Sequence, residues 1–177
     1  MSLNSSGLTP TAAITAVSPA SGIWLRRALL AIAAFETLLG LEEFSEAFDL
    51  HDAPLSFGQF VINARLFVHP FLAIAGLVLA ARHYLRAAII VLAAHILVAW
   101  LADLPTMARF GIEWDWSTLG LSLLAQQVIF APLAVTAIVL ASLDRLLWLC
   151  AIFVALPSAN LLLGMILFTI GIMIYGF

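Results

Sequence analysis

Two histidines, His69 and His95, lie on either side of a short turn between two long apolar stretches. The turn centres near residue 84, about 15 residues after His69 and about 11 before His95. Antiparallel helices would therefore place both imidazoles near the middle of a membrane, offset by about one helical turn. Such a pair suits haem b held between two imidazoles, and a chlorophyll-type pigment needs only one of them. The alternative is structural, since membrane histidines also bond carbonyl or hydroxyl groups of neighbouring helices.

A second group of polar residues is predicted at a common depth in the membrane. Counting from the helix ends on one side puts Glu36 at roughly 8 Å and Arg65 at roughly 10 Å. We therefore expect a direct or water-bridged Glu36–Arg65 contact, which lowers the cost of burying either charge. Gln126 and Gln127 fall at about the same depth, and Asp103 ends the third helix. The group is either a site for a polar ligand, quinone head group, ion or proton, or a network that pins the helices.

Motifs for catalysis and metal binding are absent from the sequence. Glu42, Glu43 and Glu46 follow Glu36, and Glu36 and Glu43 share a helix face at a spacing of seven residues. However, no Glu-x-x-His pair occurs, so we predict no metal site and expect a solvated acidic face. The single cysteine, Cys150, excludes an intrachain disulfide and a thiolate cluster. Without a phosphate-binding loop, a nucleophile elbow or a zinc-protease motif, the sequence favours a protein that is not an enzyme.

The composition indicates that lipid is the solvent around most of the chain. Of the 177 residues, 64% are hydrophobic and only 10% are charged, whereas soluble domains carry about 25% charged residues. The apolar runs are continuous over roughly 20 residues, as membrane helices require, rather than alternating as in barrel strands. We therefore predict an all-α, polytopic bundle of about five transmembrane helices. The net charge of −3, without a basic cluster, argues against nucleic acid as a partner.

The elements that must position these side chains follow from the turn signals. A polar N-terminal tail, residues 1–22, precedes a single transmembrane domain, residues 23–177. His51–Pro54 indicates a loop, and Pro105 is predicted to end the third helix. The last apolar segment exceeds one span, so it should tilt or kink, and Pro157 is the predicted kink. The five spans are expected at about 23–43, 58–81, 86–104, 118–142 and 146–175.

The arginines predict the orientation of the chain in its membrane. Five of them fall on one side of a five-span arrangement: Arg26, Arg27, Arg82, Arg86 and Arg145. Arg109 lies in a loop on the other side, together with most of the acidic residues. The positive-inside rule then predicts a cytoplasmic N-terminus and an exterior C-terminus, and we expect the bacterial inner membrane.

Two features of the sequence indicate partner chains beside the lipid bilayer. The tail, residues 1–22, has too little apolar surface to offset the entropy of ordering, so we predict that it orders only against another chain. Gly164 and Gly171 lie near one face of the last helix, where small residues permit close packing. That packing is either within the monomer or with other membrane subunits or a second copy.

Two classes of function remain open from the sequence. The first is a small subunit of a larger membrane assembly, respiratory or photosynthetic, with a structural or cofactor-holding role. The short loops, the missing catalytic motifs and the paired histidines favour it. The second is a small transporter or channel-like protein, in which Glu36, Arg65 and Gln126 line a polar path in the outer half of the membrane. A single set of five helices without inverted repeats is small for alternating access, which weighs against this second class.

Overall fold

The computed structural model describes residues 19–46, 57–112 and 117–176. Within these ranges the chain is all-helical, which confirms the predicted fold class. The elements are α1 (Pro19–Glu46), α2 (Phe57–Ala81), α3 (Leu85–Phe110), α4 (Thr118–Leu124), a π-helical turn (Ala125–Ile129), α5 (Phe130–Ser142) and α6 (Leu147–Tyr175). Helix α1 begins four residues before the predicted start of the domain. Most of the predicted tail and the predicted loop at His51–Pro54 lie outside the described residues.

Four stretches of helix are long and apolar enough to cross a membrane, so the chain is an integral membrane protein. They are Asn63–Ala81, Leu85–Phe110, Gly120–Ser142 and Leu147–Tyr175. The third of these is α4, the π-helical turn and α5 read as one continuous helix. Helix α1 is the further helix of the bundle, and its two arginines and four glutamates set it apart from the other four. That α1 is a fifth span remains a prediction.

The helices pack in a bundle whose contacts are dominated by small residues. Helix α1 lies against α2, α2 against α3, α3 against α5, and α5 against α6. Large side chains fill the centre at Leu25, Leu29, Ile89 and Leu92. Between them, fully buried alanines let the helix backbones approach closely, as is common in membranes. These alanines are Ala33, Ala73, Ala80, Ala88, Ala93, Ala134, Ala137 and Ala141.

Helices α1 and α2 approach each other closely at Gly40, next to the polar residues of interest. A Cβ atom at this position would lie 3.0 Å from the Cα of Pro70 and 3.1 Å from the Cδ2 of His69. Both distances are shorter than ordinary van der Waals contact between carbon atoms. The missing side chain of Gly40 therefore allows α1 to come within reach of His69.

Arginines close the opposite end of the bundle by binding free helix carbonyls. The guanidinium of Arg26 donates to the main-chain oxygen of Ala81 at 2.9 Å, at the end of α2. Arg86 donates in the same way to the main-chain oxygen of Ser142, where α5 ends. The last carbonyls of a helix have no partner within the helix and carry a partial negative charge, so a cation there is stabilising.

Two prolines lie inside helices that the sequence predicts to end or bend. Helix α3 continues through Pro105 to Phe110, so the predicted end of the third helix is wrong. Helix α6 is one unbroken helix of 29 residues that contains Pro157. A proline removes only one intrahelical hydrogen bond, and membrane helices tolerate this where neighbouring groups compensate. Conversely, the π-helical turn is not predicted from the sequence, because Ala125–Ile129 contains no proline or glycine that would indicate an irregular helix.

The second half of α6 has little contact with the rest of the bundle. From residue 161 to residue 175 every residue is exposed except Gly171, which is half-buried. A Cβ atom added at Gly164 or Gly171 would meet no described atom within 4 Å. Tight packing within the monomer, one of the two explanations for these glycines, is therefore contradicted for the described part of the chain.

Candidate functional site

Three helices bring Glu36, His69 and His95 together inside the bundle. Glu36 lies on α1, His69 on α2 and His95 on α3, and each is buried, with 8%, 3% and 8% of its surface exposed. They are nearly all of the buried ionisable or polar side chains among the described residues, and Ser158 of α6 completes that set. A polar group placed in the interior of a membrane protein is costly unless other polar groups satisfy it. Their convergence at one point is therefore the most informative feature of the interior.

His69 lies between two carboxylates. Its Nδ1 is 2.8 Å from Oε2 of Glu43, and its Nε2 is 3.4 Å from Oε2 of Glu36. An ionised carboxylate only accepts hydrogen bonds, so Nδ1 of His69 must donate to Glu43. In the neutral ring, Nε2 then carries a lone pair, and it is buried with no hydrogen-bond partner. A lone pair and a carboxylate oxygen thus face each other inside the bundle.

His95 adds a second imidazole to the same oxygen of Glu36. Its Nδ1 is 3.8 Å from Oε2 of Glu36, and its ring centroid is 4.1 Å from that of His69, with an angle of 31° between the planes. Rings at this separation touch directly, because non-bonded carbon layers lie about 3.5–4.0 Å apart. A macrocycle such as haem b would need its own layer between the rings. The two histidines therefore do not fit the predicted haem, whereas a pigment on a single imidazole stays an untested prediction.

Helix α6 holds the other oxygen of Glu36. The hydroxyl of Ser158 donates to Oε1 of Glu36. Two residues further along α6, the amide of Asn160 donates to the hydroxyl of Ser122 on α4 at 2.7 Å. The first bond joins α6 to α1 and holds one oxygen of the Glu36 carboxylate, and the second joins α6 to α4.

Arg65 connects the buried residues to a second polar group nearer the helix ends. Its Nη2 is 3.2 Å from Oε1 of Glu43, and its Nη1 is 4.0 Å from Oδ1 of Asp103. The side-chain amide of Gln126 donates to Oδ2 of Asp103 at 3.0 Å. Arg65, Asp103 and Gln126 are thus brought together, and among the described residues Glu36 is connected to them through His69 and Glu43 alone.

The direct form of the predicted Glu36–Arg65 contact is replaced by a contact two turns further along α1, whereas its water-bridged form remains a prediction. Between the described residues, Arg65 pairs with Glu43 and not with Glu36. Helices α1 and α2 run antiparallel, and Arg65 lies one turn before His69 on α2. It therefore faces a point on α1 about one turn beyond the part of α1 that faces His69. Glu43, two turns beyond Glu36 on the same face, therefore receives the guanidinium.

Gln127 differs from its neighbour Gln126. Its side-chain Oε1 is buried without a hydrogen-bond partner, and its main-chain oxygen accepts the indole N–H of Trp100 at 2.8 Å. Gln127 therefore links α3 to the π-helical turn through its backbone rather than through the predicted polar network.

A cavity of about 310 Å³ opens among these side chains. We call the residues that line or support it the polar cluster: Glu36, Glu43, Arg65, His69, His95, Asp103, Gln126 and Ser158. Three carboxylates stand against one guanidinium, so with neutral imidazoles the cluster carries an excess of two negative charges. Such a cavity attracts cations and repels anions.

Two members of the polar cluster are not anticipated from the sequence. Glu43 is expected on a solvated face, yet its side chain is only 28% exposed and is shared by His69 and Arg65. The seven-residue spacing from Glu36 is the signal that identifies it. Ser158 has no such signal, because a lone serine in an apolar helix usually bonds its own backbone.

The structure also brings together a set of metal-binding atoms. Glu36, His69 and His95 each offer one ligand atom, and these atoms lie within 4.8 Å of one another. No metal site is predicted from the sequence because the Glu-x-x-His motif detects ligands on one helix, whereas these three ligands come from three helices.

No protein-family model, curated protein or solved structure matches this chain. Its function must therefore be inferred from the geometry and charge of the polar cluster, within the limits of an integral membrane protein.

Proposed function

We propose that this integral membrane protein is a small transporter or channel-like protein that admits a cation or a proton into the polar cluster. The observation that supports it is the chain of ionisable side chains from Asp103 through Arg65, Glu43 and His69 to Glu36. Ionisable groups in membrane helices are expensive, and they commonly mark ion pathways and proton relays.

The exposed fraction of the side chains decreases along this series of ionisable residues, which defines a mouth and a buried inner end. The side chains of Glu43, Arg65 and Asp103 are 28%, 28% and 30% exposed, whereas those of Glu36 and His69 are 10% and 4% exposed. A cation entering beside Glu43 and Asp103 would therefore lose water gradually while carboxylates replace it. By the arginine pattern, this mouth faces the exterior of the cell, in our proposal at the bacterial inner membrane.

Proton movement needs a group that can accept a proton between two carboxylates. Nε2 of His69 occupies that position, since Nδ1 is engaged by Glu43 and Nε2 points at Glu36. A proton taken up at Nε2 would lie within 3.4 Å of the Glu36 oxygen. His69 would then pass it to Glu36, whose other oxygen is held by Ser158.

Flux into vesicles tests this proposal. The full-length protein would be reconstituted in liposomes that contain a pH-sensitive dye, and an imposed potassium gradient would drive protons or added cations inward. Glu36→Gln keeps the shape but removes the charge, and we expect it to reduce the flux at least tenfold. Glu42→Gln makes the same change at an exposed position of the same helix and should leave the flux unchanged.

The proposal would be overturned by a wild-type flux no larger than that of protein-free liposomes. Equal losses in Glu36→Gln and Glu42→Gln would also contradict it, because the effect would then not depend on the buried position. Circular dichroism and gel filtration of each variant would show whether the helices and the monodisperse state are retained.

A second candidate function, a subunit of a larger membrane assembly, is favoured by α6. Its exposed half carries Gly164 and Gly171 with open space beside both, which is the surface that another helix needs for close approach. We expect the double variant Gly164→Leu/Gly171→Leu to reduce the assembled mass seen by native mass spectrometry. The matched control is Gly22→Leu, which also lies in open space on a helix. A monomeric wild-type protein in a mild detergent would exclude self-assembly through this face.

A further inference from the structure

We propose that Glu36, His69 and His95 form a binding site for a divalent first-row transition-metal ion, for which Zn²⁺ is the reference ion. The inference deepens the proposed function by naming the cation, and it rests on that function only for the role of the ion as the transported species. The site itself follows from the arrangement of three buried side chains from three helices.

The spacing of the ligand atoms suits a small divalent ion. Oε2 of Glu36 is 3.4 Å from Nε2 of His69 and 3.8 Å from Nδ1 of His95. A tetrahedral ion with bonds of about 2.0–2.1 Å separates its ligand atoms by about 3.4 Å. All three ligand atoms lie within 4.8 Å of one another, so side-chain rotations that bring the more distant atoms closer would close the site around an ion.

The hydrogen bonds around the three ligands prepare them to bind a cation. Glu43 accepts from Nδ1 of His69, which leaves the lone pair of Nε2 directed at Glu36. This carboxylate–histidine pairing is the arrangement that orients metal-binding imidazoles in other proteins. Ser158 holds the second oxygen of Glu36, so the first oxygen remains available. With His69 neutral, its buried Nε2 lacks a hydrogen-bond partner, and an ion at this point would satisfy it.

The chemistry of the ligands distinguishes between classes of ion. Two imidazoles and one carboxylate favour zinc, iron, cobalt or nickel over magnesium and calcium, which prefer oxygen ligands only. Three protein ligands also leave the fourth position of a tetrahedral ion open, here towards the cavity with Gln126 and Asn160 in its wall. An open position permits exchange of the ion, as a transported species requires.

A proton is the alternative occupant of the same point. A protonated His69 would donate from Nε2 to Glu36 and would need no metal. The two occupants predict different results, because protons compete with a metal ion for these ligands whereas a proton relay alone binds no metal.

Titration of the full-length, chelator-treated protein in detergent with Co²⁺ and Zn²⁺ would test the site. We expect one equivalent of Co²⁺ to produce the intense visible absorption of a tetrahedral site with nitrogen and oxygen ligands, and one equivalent of Zn²⁺ to displace it. His95→Gln should weaken Zn²⁺ binding at least 100-fold, and Glu43→Gln should weaken it about 10- to 100-fold by releasing His69. His83→Asn removes an exposed histidine from a turn and should change nothing.

The inference would be overturned by the absence of a stoichiometric cobalt spectrum in the wild-type protein, a result that requires no variant to fold. Unchanged Zn²⁺ affinity in a folded His95→Gln protein would also overturn it. Zn²⁺ binding without flux of any ion in liposomes would refute the proposed transport function alone. Proton flux without metal binding would refute the metal site alone.

Discussion

The pairing of Arg65 with Glu43 rather than with Glu36 can be tested by double-mutant cycles. The two groups lie 3.2 Å apart, and each side chain is 28% exposed. At about 4 Å and an effective dielectric constant of about 20, two unit charges attract by about 4 kcal/mol. Partial exposure and the cost of desolvation reduce this value, because fully exposed pairs contribute only about 0–1 kcal/mol. We therefore expect a coupling energy of about 1–3 kcal/mol between Arg65→Gln and Glu43→Gln.

The geometry also ranks the other two pairs. Asp103 is 4.0 Å from Arg65 and makes no hydrogen bond to it, so the coupling of that pair should be smaller than that of Glu43. Glu36 has no direct contact with Arg65 and is joined to it through His69 and Glu43, so its coupling to Arg65 should be the weakest of the three. The expected order of coupling to Arg65 is thus Glu43, then Asp103, then Glu36.

Reversible unfolding in mixed micelles, driven by increasing sodium dodecyl sulfate, would give the free energies of unfolding. Each cycle requires the two single variants and the double variant, and Glu42→Gln with Arg65→Gln serves as the control cycle. Because His69 still donates to Glu43 after Arg65 is lost, the single change Arg65→Gln should cost less than breaking a fully isolated pair. A coupling to Glu36 larger than that to Glu43 would show that the assigned pairing is incorrect.

Three further outcomes are expected. Gly40→Ala should destabilise the protein by about 1–3 kcal/mol, because the added Cβ would clash with Pro70. The control Gly22→Ala should be neutral or stabilising, since nothing lies within 4 Å of that position. Equal effects of the two changes on thermal unfolding would contradict the close approach of α1 and α2 at Gly40. Trp100→Phe should cost about 1 kcal/mol through the lost bond to the Gln127 backbone, and an unchanged melting temperature would refute that bond. A C-terminal alkaline phosphatase fusion should be active in a bacterial host if the C-terminus is exterior, and an inactive phosphatase beside a fluorescent C-terminal fusion would require an even number of spans.

The apolar runs of the sequence are sufficient to predict the helices but not all of their ends. Continuous hydrophobic stretches have few alternatives in lipid, because every backbone polar group must be paired within the segment. Pro105 misleads because the one intrahelical hydrogen bond that a proline removes does not end α3, which continues to Phe110. The π-helical turn at Ala125–Ile129 bonds to α3 through Trp100, and no periodicity in the sequence predicts it.

For the polar residues, the sequence predicts the depth in the membrane but not the direction in which each side chain points. Counting residues from helix ends gives the height of a side chain in the membrane, and it places Glu36, Arg65, His69 and His95 within two or three turns of one another. It does not give the rotation of one helix relative to the next. For this reason the sequence predicts the wrong direct partner for Arg65 and assigns Glu43 to solvent.

The π-helical turn also determines which changes of length the chain tolerates. A π-turn is an α-helix with one additional residue, so deletion of a single residue within Ala125–Ile129 would restore a continuous α-helix over 118–141 in the shortened chain. Because the wide turn absorbs the additional residue, the helical parts on either side of the deletion would keep their orientation. Ser122 would then still face Asn160. A deletion of three bases in the gene would thus leave an intact membrane helix and change the cavity wall only where the residue was removed.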